Sequence, residues 1–414
     1  MVKTIVLIGA LDTKGHEFAF VKSLIEAQGL HTLTVDFGVM GSPAYEADIT
    51  RDAVAQAGGA ALEDIASGQH KDKAMQVMSK GLAVVVRRLY DEGRLSGVLG
   101  MGGTGGTSIA TNAMRGLPIG VPKVMLSTVA GGDVSAYAGN SDIVFVPSIV
   151  DVAGINRISR TMYTLAAGAI SGMVKLDVPA ADDQKPLVAA SMFGNTTAAV
   201  EKARGILESK GYEVLVFHAT GTGGRMMESL IDAGFISASL DITTTELADY
   251  VCDGVFNAGG ERCLAASRAG IPTVLVPGCV DMVNFDGIDT VPVQYRNRNL
   301  YQWNPNVTLM RTNADESRRI GELIANAANE ARGPVAVLLP LKGVSMLDSE
   351  GNRFWDPEAD RACFDAIRNN LHSGIPVYEL NYNINDPEFA EHVSNTLLEL
   401  IAYSAENTAA RSAS

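Results

Sequence analysis

Short apolar runs, many of them β-branched, punctuate the chain at 4–8, 33–35, 98–99, 124–126, 187–190, 214–217, 254–256, 273–276, 335–339 and 377–380. Between most of them lie mixed-polarity stretches of helical length, as at 17–28, 73–92, 197–210 and 360–371. Runs that are apolar throughout, rather than alternating, suit strands buried on both faces. Strands that alternate with helices suit parallel sheets flanked by helices. The pattern therefore predicts an α/β fold. A repeat subdivides it. TIVLIGALDTKG, from Thr4, and LVAASMFGNTTA, from Leu187, each open a strand, small-residue loop, helix, glycine stop and second strand. A second pairing sets GVLGMGGTGGTS, from Gly97, beside GVFNAGGERCL, from Gly254, which makes 254–256 a strand leading into a glycine loop. Two related α/β halves follow, at 1–180 and 186–405, with the polar PAADDQKP at 179–186 as the join. Two segments, 129–156 and 281–313, show no clear period and read as long loops of the kind that serve function or meet a partner subunit.

Composition narrows the class. The 414 residues are 47% hydrophobic and 19% charged, enough to bury two cores, and the formal net charge is −14. A field of that sign disfavours nucleic acid and acidic membrane as partners. No run reaches membrane-spanning length, and the first apolar run breaks at Asp12, as a strand does and a leader does not. The four cysteines, Cys252, Cys263, Cys279 and Cys363, form no metal-type spacing and read as buried thiols of a cytoplasmic protein.

The chemistry concentrates in loops after strands. Gly100, Gly102 and Gly105 match G-x-G-x-x-G, within the denser Gly102, Gly103, Thr104, Gly105, Gly106, Thr107. Glycines tolerate positive φ and let backbone N–H groups approach a ligand, and a helix start adds unpaired donors, so the stretch predicts a phosphate cradle. A dinucleotide site would place an acid after the next strand, and Leu126, Ser127 and Thr128 supply none. No G-x-x-x-x-G-K-[ST] occurs. In the first loop, Asp12 and Thr13 suit a ribose or a metal and Lys14 a phosphate, while Asp36 ends the next strand within reach of a ribose hydroxyl. The second half offers another anion loop in Thr220, Gly221, Thr222, Gly223, Gly224 and Arg225, with His218 as a candidate acid or base. Gly259, Gly260 and Glu261 form a third, and Glu261 with Asp281 makes a candidate carboxylate pair. These features also fit an enzyme acting on a small phosphorylated or carboxylated metabolite, or a non-catalytic module ordered by its ligand.

Together IGALDTKG, GMGGTGGTS, HATGTGGRMMESL, PGCVDMVNF, NPNVTLMRT and LKGVSMLDSEGNRFWDPEAD, which span nearly the whole chain, resemble the Tm-one-like ATP-binding family, relatives of the tomato mosaic virus resistance protein. The resemblance implies two Rossmann-like subdomains, ATP as ligand, with Mg²⁺ as its companion ion, and self-association into a homodimer or larger homo-oligomer. It leaves open whether ATP is turned over. Where the family pattern often has histidine before NPxVTLMRT, this chain has Trp303. The residues themselves point the same way on assembly: Tyr295, Tyr301 and Trp303 lie in one of the two long loops and suit a buried interface.

Overall fold

A computed structural model describes residues 3–66, 71–177 and 184–412. The chain divides into two compact units, Met1–Ala180 and Ala181–Ser414. Most of the polar join at 179–186 lies outside the described residues.

In the first unit five strands, β1 (Thr4–Gly9), β2 (His31–Asp36), β3 (Gly97–Gly102), β4 (Lys123–Ser127) and β5 (Val144–Pro147), form a parallel sheet in the order β2-β1-β3-β4-β5. The period of two along β1 explains both layers of core. Val6 and Ile8 face the cluster built with Val85, Leu89, Ala110 and Met114, while Ile5 and Leu7 face Phe18, Val21, Tyr163 and Ile170. With both faces covered, the strand has no polar side to show, which is why it reads as an unbroken apolar run.

In the second unit β6 (Leu187–Met192), β7 (Glu213–His218), β8 (Ala238–Thr243), β9 (Thr273–Gly278), β13 (Val335–Pro340) and β14 (Val377–Leu380) form a parallel sheet in the order β14-β13-β9-β8-β6-β7. Between β9 and β13 the chain makes an antiparallel meander, β10 (Met282–Phe285), β11 (Leu300–Asn304) and β12 (Val307–Arg311), in the order β10-β12-β11. The stretch read as the second long loop therefore holds three strands of a sheet. The chain is α/β, with two Rossmann-like parallel sheets flanked by helices.

The first pairing of the repeat holds in element order: β1, helix, β2 matches β6, helix, β7. The second does not. Residues 254–256 form no strand, and the sheet position expected for them belongs to β8. The cause is Asp249, fully buried, whose carboxylate accepts the N–H groups of Phe256 and Asn284, both at 3.1 Å, and the Asn284 amide at 2.8 Å. That one anion wraps the segment into a turn.

Candidate functional site

In the first unit the strand order reverses direction between β1 and β3. The crevice beyond the C-terminal ends of strands at such a switch point is where open α/β sheets hold ligands. The loop after β1 carries Asp12, Thr13 and Lys14, and the loop after β3 carries the glycines. The helix Thr104–Arg115 starts with Gly103 as its N-cap and has no side-chain cap. Its first bond within this turn runs from Thr107 N–H to Gly103 C=O at 2.8 Å. The amides of Gly103, Thr104, Gly105 and Gly106 precede it and form the donor-rich end of the helix.

None of these glycines has positive φ; Gly103 sits at φ −81°, ψ −165°. Backbone freedom is thus not why they are glycine, contrary to the conformational argument from sequence. Packing accounts for two. A Cβ at Gly100 would fall 2.9 Å from the Met125 sulfur, and one at Gly102 would fall 3.2 Å from Gly106 Cα. At Gly103, Gly105 and Gly106 the nearest atoms lie at 3.7, 3.6 and 3.8 Å, so a side chain would fit the protein. What the missing Cβ atoms leave open there is the approach to the amides. Thr104 shares that turn, whereas Thr107 is fully buried, bonded to Gly103 C=O at 2.8 Å and to Ser127 Oγ at 2.6 Å.

Two hollows adjoin the glycine turn. On the Gly105 side, Phe37, Val39, Met75, Met78 and Ile109 enclose an apolar pocket of about 270 Å³. On the Gly103 side, Thr128, Gly131, Ser148, Ile149 and Asp151 line a polar one of about 550 Å³. Ile149 has φ +63° and is 69% exposed. The Val150 N–H bonds to Ser148 C=O at 2.7 Å, which makes a γ-turn of the rare strained kind around a β-branched residue.

The residues around the first loop are engaged differently from the sequence expectation. Asp36 is buried, and its Oδ1 accepts from Leu11 N–H at 3.0 Å and Gly38 N–H at 2.8 Å, so it ties two loops together. Burial pushes its pKa up. Asp12 Oδ2 accepts from Met40 N–H at 2.7 Å and Gly41 N–H at 3.2 Å, while Oδ1 is buried without a partner. Lys14 Nζ donates to Val152 C=O, and Gly154 N–H donates to Glu17, so both side chains anchor the 148–156 loop. Thr13 is exposed, with a 3.5 Å contact to Ala10 C=O.

In the second unit the loop from Thr220 to Arg225 already holds an anion, and the protein supplies it. Glu246 is fully buried, and its Oε1 accepts from Gly221 N–H at 2.6 Å and Gly224 N–H at 3.1 Å. Gly221 takes φ +77°, as the head of the helix Thr222–Asp232, and Gly223 packs on His218 C=O, where a Cβ would fall at 1.9 Å. Arg225 donates to Asn257 C=O at 2.8 Å. The other Glu246 oxygen meets Arg262 Nε at 2.6 Å, and Arg262 also forks onto Asp241 at 2.5 and 2.8 Å and reaches Glu228 at 3.0 Å. Thr222 completes the loop. Nothing in the sequence near 220–225 announces this occupant, which comes from 25 residues downstream of Gly221. His218 is exposed and packs edge-on against Phe193. In the third loop Gly259 takes φ +93° and a Cβ at Gly260 would strike the Tyr250 ring at 2.8 Å. Glu261 lies on the surface paired with Arg268, while Asp281 is fully buried and bonded to Ser345, so the structure gives these two carboxylates different partners.

Asp281 belongs instead to a cluster that sequence reasoning missed, although it joins three of the motifs quoted above. Asp281, Asp348, Asp360 and Arg311 are all buried. Arg311 lies 2.6 Å from Asp360 and 3.5 Å from Asp348, and Ser345 Oγ donates to Asp281 at 2.8 Å. One guanidinium faces three carboxylates, so protons are retained. Burial, and then Asp348 nearby, push Asp281 to about 7 and Asp360 to about 8. Unfolded aspartates release their protons near pH 4. Between that pH and about 8 the folded protein therefore binds more protons than the unfolded chain, and its stability falls as pH rises through this window. The melting temperature is expected to drop from pH 6 to pH 9, and to drop less in Asp360→Asn. An equal drop in both proteins would disprove the assignment.

Comparison with known proteins places these features. A model of the Uncharacterised protein family (UPF0261) N-terminal domain matches residues 3–179, and one of its C-terminal domain matches residues 185–401. A UPF0261 protein of Clostridium tetani is 47% identical over 97% of this chain and 100% of its own length. The ToMV resistance protein Tm-1(GCR237) of Solanum lycopersicum is 44% identical over 79% of this chain and 44% of its own. Among solved structures, the glycosyltransferase SnogD of Streptomyces nogalater covers 98% of this chain and is itself fully covered, but at 11% identity and a TM-score of 0.21, too slight a likeness to bear on activity. With both halves matched in order and the Clostridium tetani relative this similar over its full length, the chain belongs to the UPF0261 family and is a relative of the tomato Tm-1 proteins.

Proposed function

We propose that the first unit binds a nucleotide, ATP or ADP, at its switch point, in a cytoplasmic protein. The observation that carries the reading is the uncapped helix start at Gly103, Thr104, Gly105 and Gly106, whose three open glycines neither φ nor packing requires. Phosphate oxygens suit those amides. The apolar pocket on the Gly105 side suits a purine ring, and the polar hollow at Thr128, Ser148 and Asp151 suits the ribose or phosphate end. Mg²⁺ would travel with the phosphates, and Asp12, with its unpartnered oxygen, offers a carboxylate on the first loop. The resemblance to Tm-one-like proteins supports the same ligand. The second glycine loop is left out of this reading, because Glu246 takes its amides.

A ligand that binds only the folded state stabilises it by RT ln(1 + [L]/Kd), about 2.7 kcal/mol at a hundredfold excess over Kd. ATP or ADP with Mg²⁺ is expected to raise the melting temperature by several degrees, and NADH is expected to leave it unchanged. No shift with millimolar nucleotide would remove the reading.

The protein is also proposed to self-associate. Trp303 is 44% exposed on β11, the edge of the meander, and Val293 is 74% exposed in the segment before it. An edge strand with exposed apolar neighbours is a pairing surface. Light scattering at micromolar concentration is expected to give at least twice the monomer mass, and a monomer mass would contradict this. All four cysteines are free and buried, in keeping with a reducing compartment, and among the described residues no helix is long and apolar enough to cross a membrane.

A further inference from the structure

The second unit contains a crevice of about 730 Å³, formed by the loops that follow β6, β13 and β14. Its walls include Asn195, Asn383 and Asn385, with Glu201 and Asp386 among its acids and Met346 on one side; no lysine or arginine lines it. Its side-chain amide donors are already engaged. Asn385 Nδ2 donates to Asn195 C=O at 2.9 Å, and Asn383 Nδ2 donates to three backbone carbonyls, the nearest at 3.1 Å. The acceptors are not. The side-chain oxygens of Asn195 and Asn385 have no partner, and Asn195 is only 3% exposed. A buried acceptor without a donor costs stability unless water or a ligand supplies one.

We propose that this crevice is a binding site for a small aliphatic amine in its ammonium form, a ligand class unrelated to the anion of the first unit. An ammonium group brings three donors and no acceptor, the complement of the unpartnered Asn195 and Asn385 side-chain oxygens. Its charge matches Glu201 and Asp386, and its carbon chain matches Met346 and the Ala198 methyl. An anion would meet two carboxylates and no cation. The wall is also held firmly. Met346 N–H donates to Asn195 C=O at 3.1 Å, and Ser345 beside it is bonded to Asp281, which joins the crevice wall to the buried acid cluster.

Calorimetric titration of the full chain tests this, with putrescine, ethanolamine and glucosamine as probes and inorganic phosphate and glucose as counter-probes. At least one amine is expected to bind saturably, more weakly as salt rises, and neither counter-probe is expected to bind at this crevice. Glu201 and Ala198 are both exposed, so Glu201→Lys and Ala198→Arg are expected to leave thermal unfolding unchanged while weakening the amine by roughly tenfold or more. The proposal is overturned if no amine binds, if both folded variants bind it as the wild type does, or if phosphate or glucose binds and is lost in these variants.

Discussion

Gly103→Val is expected to fold normally and to lose nucleotide affinity by roughly a hundredfold or more, the equivalent of two charge-assisted hydrogen bonds at about 1.5–3 kcal/mol each. The residue sits at φ −81°, ψ −165°, an extended conformation that valine adopts readily, and the nearest atom to its Cβ would be Thr128 Oγ1 at 3.7 Å. Nothing in the protein objects to the side chain. What it blocks is the face on which the first amides of the helix Thr104–Arg115 are open. Had the glycines served only to pack the helix on the sheet, the variant would be destabilised and its affinity, once folded, unchanged. Titration calorimetry and thermal unfolding of the same variant separate the two. A stable variant that binds ATP as the wild type does would place the phosphates elsewhere.

Arg262→Met is expected to have the largest effect on stability. Arg262 is 2% exposed and faces Asp241, Glu246 and Glu228, two of them fully or nearly fully buried. Breaking a buried ion pair by removing one partner costs about 3–5 kcal/mol, because the remaining charge has neither water nor a counter-ion. Here a single substitution strands several carboxylates, one of which also holds the Gly221 and Gly224 amides. The loss is a large part of the 5–15 kcal/mol of stability typical of a folded protein. The sign with pH follows. Burial already pushes Glu228 upward, and without the guanidinium the group is driven further toward its neutral form. The variant should therefore recover stability as pH falls and carboxylates take up protons. Urea unfolding at two pH values measures both the loss and its recovery, and a loss under about 1 kcal/mol at neutral pH would show that the network is dispensable.

How far the sequence reaches depends on how local each feature is. Doubly buried strands such as β1 and β13 are legible because every fully buried position is apolar. The strand β8, sequence ASLDIT, is not, because Ser239 and Asp241 interrupt the run; Asp241 is tolerated there because Arg262 and the Ser191 hydroxyl face it. Its place in the pattern was taken by 254–256, whose GVF before a glycine loop imitates 97–99. The decisive contact there, Asp249 gathering Phe256 and Asn284, is tertiary and has no local signature. The meander was hidden for another reason: β11 reads LYQWN and is largely exposed, so it shows no buried face to the period analysis.

The site divides the same way. The glycine turn at 102–106 is one contiguous segment and stands out in the sequence. The apolar pocket beside it draws Phe37, Met75 and Ile109 from three separate segments, and no spacing rule links them. The loop at 220–225 has equally good local chemistry, and only the structure shows that Glu246 fills it. Two glycine- and threonine-rich loops thus have opposite status, one capped by a buried carboxylate and one with no side-chain cap. That contrast is the centre of the account.

Backbone hydrogen exchange, followed by mass spectrometry with and without ATP and Mg²⁺, tests it most directly. The account predicts that nucleotide slows exchange in peptides covering 103–106, together with those lining the apolar pocket around Phe37 and Met75, and leaves peptides covering 221–224 unchanged because Glu246 already protects them. Protection at 221–224 in place of 103–106, or none at 103–106 with saturating nucleotide, would contradict it.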